Sequence, residues 1–556
     1  MALYFDSNAG SNGVGTDIDH PKNSLDGLGS GLITEANCDL YFKAGSSFNL
    51  VNSITNQNGY TNNKITIQKY GSGANPLLYS SQIGYLSTWQ EVSLASIQPN
   101  SGAVVAQPGS HLWHRAVQFD SMLLGDAGTR ANPGTHWGQY RGYTIDGSPD
   151  TYQGTFPTAD YHCCRVIVGG VVGTVLWSIG HPASAYYGVT YSQTLDSMFK
   201  ITQPRGGLEI SEVDFGHSTQ YAIDISFQSY NRLCGPIILR DFSIKNNLGM
   251  RIGSTVTNRN NNVGTVQFVM KGIYAENIGN SFIGTWAAGY NAAYNLNNTE
   301  IYHNVINGVC RRFSLGGIYL LDCGTNDGSK IRVYENTVSG AMRDNVWPDG
   351  YAIYTDFSAE DVEIFRNYVW DCDLAYRNNG VVGDVRIYGN VAVAKPSGSA
   401  SSSAFGSNDP NDVDLPAKIE LAYNVAVGFN KFAGYQDVVP NSKFYLHHNV
   451  SIGRPGGLAY HAVDVRGPSC MLLDSNNFFG YGTHLHDYDS GFDGAAGDLS
   501  NNTTYITNKI TSDPTAALAK INLTPTDPTV NYALTLPDMH WGGTPSYDYA
   551  PCFNPA

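Results

Sequence analysis

The chain has 556 residues, 42% apolar and only 14% charged, with a formal net charge of −15. That apolar content excludes a disordered chain. The abundance of Gly (61) and Tyr (36) over charged helix formers disfavours a helical bundle. The negative balance disfavours a nucleic-acid partner, which needs a basic face, but a groove can be locally basic on an acidic protein.

At the N-terminus, "MALYFDSNAG" has neither a basic region nor an apolar core, so no leader peptide is expected. Residues 1–36 read as an N-terminal cap, 37–480 as a repetitive body with inserted loops, and 481–556 as a C-terminal capping or oligomerisation segment. Coils are sparse between 85 and 205. There "RANPGTHWGQYRGYTIDG" reads as a long exposed loop, and "VIVGGVVGTVLWSIG" (Val166 to Gly180) as buried strands, being too short and Gly-rich to span a bilayer. Weak copies of a repeat then begin at Leu208, Ile237 and Val266.

Strong copies follow: "EIYHNVING", "IRVYENTVSG", "VEIFRNYVWD", "VRIYGNVAVA", "IELAYNVAVG", "FYLHHNVSIG" and "MLLDSNNFFG". Their shared Asn is Asn304, Asn336, Asn367, Asn390, Asn424, Asn449 and Asn476, with 23 to 34 residues between successive copies. Such spacing is that of one solenoid coil with loops of unequal length. Ile301, Val333, Ile364, Ile387, Leu421, Leu446 and Leu473 form an apolar column that points inward. Glu300, Arg332, Glu363, Arg386 and Glu420 form an outward column of alternating sign, a structural ladder. The Asn is expected to take the left-handed backbone of a tight corner, its amide bonding to its neighbours coil on coil. After Gly480 the pattern fades, with one short helix expected at Thr515 to Ile521.

The nine cysteines are odd in number and lack a CxxC pair, which suits buried free thiols in a reducing compartment. The histidines of "HLWHRA" and "DYHCC" lack a third ligand for zinc, and no phosphate-binding glycine loop appears, so neither metal nor cofactor is expected. Calcium in an Asp-rich loop stays open.

The Asn ladder, the opening "YFDSNAGSNGVG" with "CDLYFKAGSSF" and "ITIQKYGSGANPLL", and the coils "GGIYLLDCGTNDGSKIRVYENTVSG" and "GYAIYTDFSAEDVEIFRN" together resemble the right-handed parallel β-helix proteins that bind and cleave polysaccharides. The resemblance covers residues 3 to about 480. It implies an all-β fold, a right-handed parallel β-helix of about ten or more coils, acting on a bacterial capsular or exopolysaccharide. The lack of a leader and the free cysteines point within that group to a bacteriophage tailspike depolymerase. Such a protein would be a homotrimer of the virion tail, folded in the host cytoplasm, held by a phage tail or adaptor protein, with no membrane partner. A secreted extracellular enzyme is the alternative location.

Glycoside hydrolysis needs two carboxylic groups flanking the bond. The richest segment is "SGAMRDNVWPDGYAIYTDFSAED". Asp356 ends "AIYTD" where the resembling glycosidases carry an acidic residue. Asp322 ends "GIYLLD" one coil earlier, with one extra residue, and Asp349 is the substitute. Arg343, Trp347, Tyr354, Tyr376 and Arg377 are candidate sugar contacts, and Glu335, in the freely varying column before the Asn, is another. Two alternatives stand beside hydrolysis. One is a polysaccharide lyase using Tyr302, His303 and Arg311 or Arg312 on a uronate; the other is a non-catalytic glycan-binding receptor or fibre.

Overall fold

The computed structural model describes residues 2–80 and 197–487, apart from 26–30, 57–58, 229–231, 256–262, 288–295, 312–315, 322, 324–329, 342–349, 357–359, 380–381, 396–401, 408–416, 436–442, 455–460, 466–469, 475 and 480–482. Between 81 and 196 it describes the backbone of a set of strands. Three long sheets run through the described residues, of 13, 12 and 12 strands, each in chain order and each parallel throughout. A typical coil passes from Ile331–Tyr334 in the first sheet to Thr337–Ala341 in the second and Tyr351–Asp356 in the third. It re-enters the first sheet one layer on at Glu360–Phe365. This is the right-handed parallel β-helix that the repeat implies.

The solenoid starts at Ala2–Phe5, which pairs in parallel with Asp39–Lys43, and its last described strand is Thr483–Asp487 in the third sheet. Between Leu77–Ser80 and Ser197–Thr202 the parallel order is interrupted. Here His162–Val168 pairs antiparallel with Val171–Ser178, which pairs antiparallel with His111–Arg115. The expected strands around Val166 are therefore a hairpin. The expected loop around Trp137 instead carries two short strands, His136–Trp137 and Gln139–Tyr140, because its aromatic positions pair with neighbouring strands of the insertion. Side chains of the insertion, and the expected helix at 515–521, lie outside the described residues. Among the described residues no helix is long and apolar enough to cross a membrane.

The inward columns form the core: Ile301, Val333, Ile364, Ile387, Leu421 and Leu446 are fully buried. The Asn ladder is continuous from Asn304 to Asn476. From Asn304 to Asn449 each Nδ2 donates to the Oδ1 of the next Asn at 2.8–3.1 Å, and each backbone N–H donates to that same oxygen. A second Nδ2 bond reaches back to a carbonyl of the previous coil, as from Asn336 to Ile301 at 2.8 Å. Every rung is buried, and burial makes these bonds costly to lose.

The corner itself corrects one expectation. The left-handed residue is the one before the Asn: His303, Glu335, Arg366, Tyr423 and His448 have φ near +54°, and the seven Asn are absent from the positive-φ set. The reason is geometric. The Asn must face inward to reach its neighbours, so the turn is made by the residue before it, with a side chain at the corner. There Glu335 accepts from Arg366 Nη1 at 3.3 Å and meets His303 Nε2 at 2.6 Å.

The outward face of the first sheet carries two ladders. Arg332 pairs with Glu300 at 3.8 Å and Glu363 at 3.0 Å, and Arg386 pairs with Glu420 at 3.5 Å. Beside them Tyr302, Tyr334, Phe365 and Tyr388 stack with centroids 4.8–5.0 Å apart and planes within 3° of parallel, matching the strand spacing. Burial and neighbouring carboxylates push the Tyr334 and Tyr388 hydroxyls up to about 12. Cys38, Cys234, Cys310, Cys323 and Cys372 are free and buried. Burial raises Cys234 to about 12 and Cys372 well above its ordinary value, which leaves both thiols unreactive.

Candidate active site

Alternation along the third sheet sends Ile318, Leu320, Ile353 and Tyr376 into the core and leaves Tyr319, Leu321, Tyr354 and Asp356 on the other face. Parallel register then stacks Tyr319, Tyr354 and Arg377 on successive coils, with Asp356 directly opposite Leu321. Tyr319, Tyr351, Tyr354 and Leu374 pack as one cluster, separate from the core.

A hydrogen-bond network binds this cluster together. Tyr319 donates its hydroxyl to Asp356 Oδ2 at 3.0 Å. Arg377 Nη1 donates to the Tyr351 hydroxyl at 3.1 Å and its Nε to Asn379 Oδ1 at 2.8 Å; Asn379 Nδ2 donates to the Tyr354 hydroxyl at 2.9 Å. The guanidinium lies over both rings, 4.9 Å from the centroid of Tyr351 and 5.2 Å from that of Tyr354. Asp356, Tyr354 and Arg377 are all buried, so charge and hydrogen bonding act there with less water to screen them.

The same outward row runs on in both directions: Asp224, Arg251, Gly284, Tyr319, Tyr354, Arg377, Gly406, Gly434, Asp464. Asp224 and Asp464 each stand four strand steps from Tyr354, roughly 19 Å away at the usual sheet spacing. Each is ion-paired, Asp224 with Arg251 at 2.5 Å and Asp464 with Lys431. A glycosidase pair needs its carboxyls about 5–9.5 Å apart, so neither partners Asp356.

Of the residues expected from sequence, the structure brings Asp356, Tyr354 and Arg377 together. Tyr376 faces the other way: it is fully buried in the core, stacked on Phe405 at 5.0 Å, with its hydroxyl donating to the Asn367 carbonyl. Tyr376 and Arg377 are adjacent in a strand, so they face opposite sides. Glu335 sits at the corner between the first and second sheets, away from Asp356. Asp322, Asp349, Arg343 and Trp347 lie outside the described residues, as does Arg312. Tyr302 and His303 end one side of the strand Val305–Val309 and Arg311 follows its other end, against Gly308 and Gly340, so the expected lyase set is split across the second sheet. Sequence reading passed over Tyr319, Tyr351 and Asn379. Strand parity was the available signal, since Tyr319 and Tyr354 occupy matching places in "GGIY" and "YAIY".

No protein-family model matches the chain, and no curated protein does. Among solved structures, "The complex structure of XylC with xylose" aligns with a TM-score of 0.50 at 10% identity, covering 92% of this chain and 86% of that one. A GH136 lacto-N-biosidase from Eubacterium ramulus aligns at 0.42 and 13% identity, covering 87% of this chain and 68% of that one. The Pseudomonas phage phi297 tailspike gp61 aligns at 0.19 and 12% identity, covering 81% and 71%. At 10% identity the first likeness speaks to architecture alone, and it agrees with the sheets and the Asn ladder: the chain is a right-handed parallel β-helix.

Proposed function

We propose that the chain is a polysaccharide depolymerase that hydrolyses glycosidic bonds on the outer face of its third sheet. The observation that carries this reading is Asp356, a buried carboxyl held by Tyr319 and bordered by a tyrosine, asparagine and arginine network of the kind that grips sugar hydroxyls. In this reading Asp356 exchanges the proton with the glycosidic oxygen. The second carboxyl comes from Asp322, the residue after Leu321, or from Asp349; Arg343, Trp347, Tyr354 and Arg377 contact sugar. The proposal extends to a bacterial surface glycan as substrate and to a homotrimeric phage tailspike as setting, which the buried free cysteines fit.

The test is a screen against capsular and exopolysaccharides with mass analysis of products, repeated with Asp356→Asn. New reducing ends from the parent chain, reduced at least about 100-fold in the variant, support the reading. Cleavage undiminished in Asp356→Asn refutes the assignment, and a mass in solution equal to one chain refutes the trimer. A second reading draws on the 3.1 Å contact between Arg377 and the Tyr351 hydroxyl: a tyrosine base beside a guanidinium is the pairing a lyase uses on a uronate. Products with ultraviolet-absorbing unsaturated ends would select it over hydrolysis.

A further inference from the structure

We propose that the C-terminal segment, residues 488–556, docks on the outer face of the second sheet and covers its last coils, an inference independent of the reading of the third sheet. Parity separates the two faces of the second sheet. Val338, Val369, Ala392 and Ala426 join the core, so the residues on either side of each face outward. One outward row reads Lys245, Glu276, Asn307, Ser339, Trp370, Val393, Val427 and Ile452 in successive coils. It is polar in its first half and apolar in its second. The neighbouring row changes with it, from Thr337 through Tyr368 to Val391 and Val425.

A sheet face that meets solvent leaves a valine partly exposed. Val305, three coils before Val391 in the same row, is 43% exposed. By contrast Val391, Val393, Val425, Val427 and Ile452 are at most 6% exposed, although they stand outside the core cluster. They are buried within a single chain, so their cover is a part of that chain and not a second copy. The insertion is too far away: its strand Gly188–Tyr191 approaches the second sheet at Asp214–Ser218, five strand steps before Tyr368–Cys372. Five steps are roughly 24 Å. Short loops such as 396–401 and 455–460 are tied at both ends to one coil each, and cannot spread over several. The chain that follows Asp487 has the length to do so.

Within it, "VNYALTL" alternates Val530, Tyr532, Leu534 and Leu536 with Asn531, Ala533 and Thr535. Period two is the pattern of a strand with one apolar face. Pro528 and Pro537 bracket the stretch and limit it to that length. Extended, it reaches roughly 23 Å, whereas Trp370 to Ile452 spans three strand steps, roughly 14 Å. One apolar edge laid along the solenoid axis therefore covers the row and leaves Asn531 and Thr535 to water. Neither surface carries a charge, so joining them removes apolar area from water without stranding an ion.

The experiment uses the full chain with Trp370→p-benzoylphenylalanine, irradiated, digested and mapped by mass spectrometry. The expected product is a link within one chain to a peptide holding residues 530–536. The same photoreactive group at Val305, on the exposed part of this face, should give no such link. In a second arm, Leu534→Lys in the full chain should raise the fluorescence of a hydrophobic dye roughly threefold as the valines are uncovered, with a circular dichroism spectrum like the parent's. A link from position 370 to the loops 396–401 or 455–460, or to any other part of the chain, overturns the proposal. A link between two chains, seen as a doubled mass, assigns the face to a second copy and overturns it too. So does a parent-like dye signal in Leu534→Lys together with no link to 530–536.

Discussion

Asn367 lies in the middle of the ladder, and its replacement by alanine tests the stated role of these rungs. Its Oδ1 accepts from Asn336 N at 3.1 Å and Asn336 Nδ2 at 3.0 Å. Its Nδ2 donates to Val333 O at 2.8 Å, Phe365 O at 3.2 Å and Asn390 Oδ1 at 3.1 Å. Alanine keeps only the main-chain bonds of residue 367: its N–H still donates to Asn390 Oδ1, and its carbonyl still accepts from Val391 N and the Tyr376 hydroxyl. Asn336 Nδ2 keeps its bonds to Ile301 and Tyr334, but the Asn336 N–H loses the acceptor described above. A stranded buried donor costs about 2 kcal/mol and each other lost bond about 0.5–1 kcal/mol, so Asn367→Ala should cost about 4–6 kcal/mol. Because a solenoid can open locally, the denaturant midpoint should be read together with hydrogen exchange at the Asn336 amide. That amide should lose protection selectively, while amides several coils away keep theirs. A loss below about 1 kcal/mol with the Asn336 amide still protected would refute the claim that these bonds hold the coils together.

Further outcomes follow from other positions. Tyr319→Phe should lower cleavage about tenfold without the loss expected of Asp356→Asn, since it removes only the hydroxyl that positions the carboxyl; product release against time measures both. Burial opposes the charge on Glu363, but Lys330 at 2.7 Å and Arg332 at 3.0 Å outweigh it and hold the carboxyl below its ordinary value of 4.5. Its stabilisation is thus full above that value and fades as pH falls through the lower folded value, so the gap in unfolding midpoint between the parent and Glu363→Gln should close in acid and stay open at neutral pH. Gly249 has φ +101° and a Cβ there would stand 1.9 Å from the Ser281 carbonyl oxygen, whereas at Gly45 nothing lies within 4 Å. Gly249→Ala should therefore abolish soluble folded protein, while Gly45→Ala costs only about 1 kcal/mol of backbone strain in a thermal melt.

The scaffold was legible in the sequence because its constraints repeat. An inward Asn, an inward aliphatic and an outward charge recur at fixed offsets, and stacking in register turns each column into a ladder. The left-handed corner was misplaced by one residue for a physical reason. His303, Glu335, Arg366, Tyr423 and His448 share a backbone conformation and no side-chain chemistry, so the column leaves no compositional trace. The aromatic ladder of Tyr302, Tyr334, Phe365 and Tyr388 lies in the same copies of the repeat, one place after the apolar column, and emerged only from the stacked rings. The candidate site was legible only in part. Asp356, Tyr354 and Arg377 share a face because strands alternate, and Tyr376 fell into the core by the same rule.

The ladder also has a direction. From Asn304 to Asn449 each Asn donates forward, from its Nδ2 and its backbone N–H, to the side-chain Oδ1 of the Asn one coil later in the chain. A newly formed coil therefore keeps two buried-type donors waiting until its successor is laid down. Synthesis from the N-terminus supplies coils in that order, so each arriving coil closes the one before it and opens the same demand at its own edge. The backbone polarity of translation and the polarity of the amide chain coincide, and the growing end of the solenoid is a template that accepts only the next coil in register.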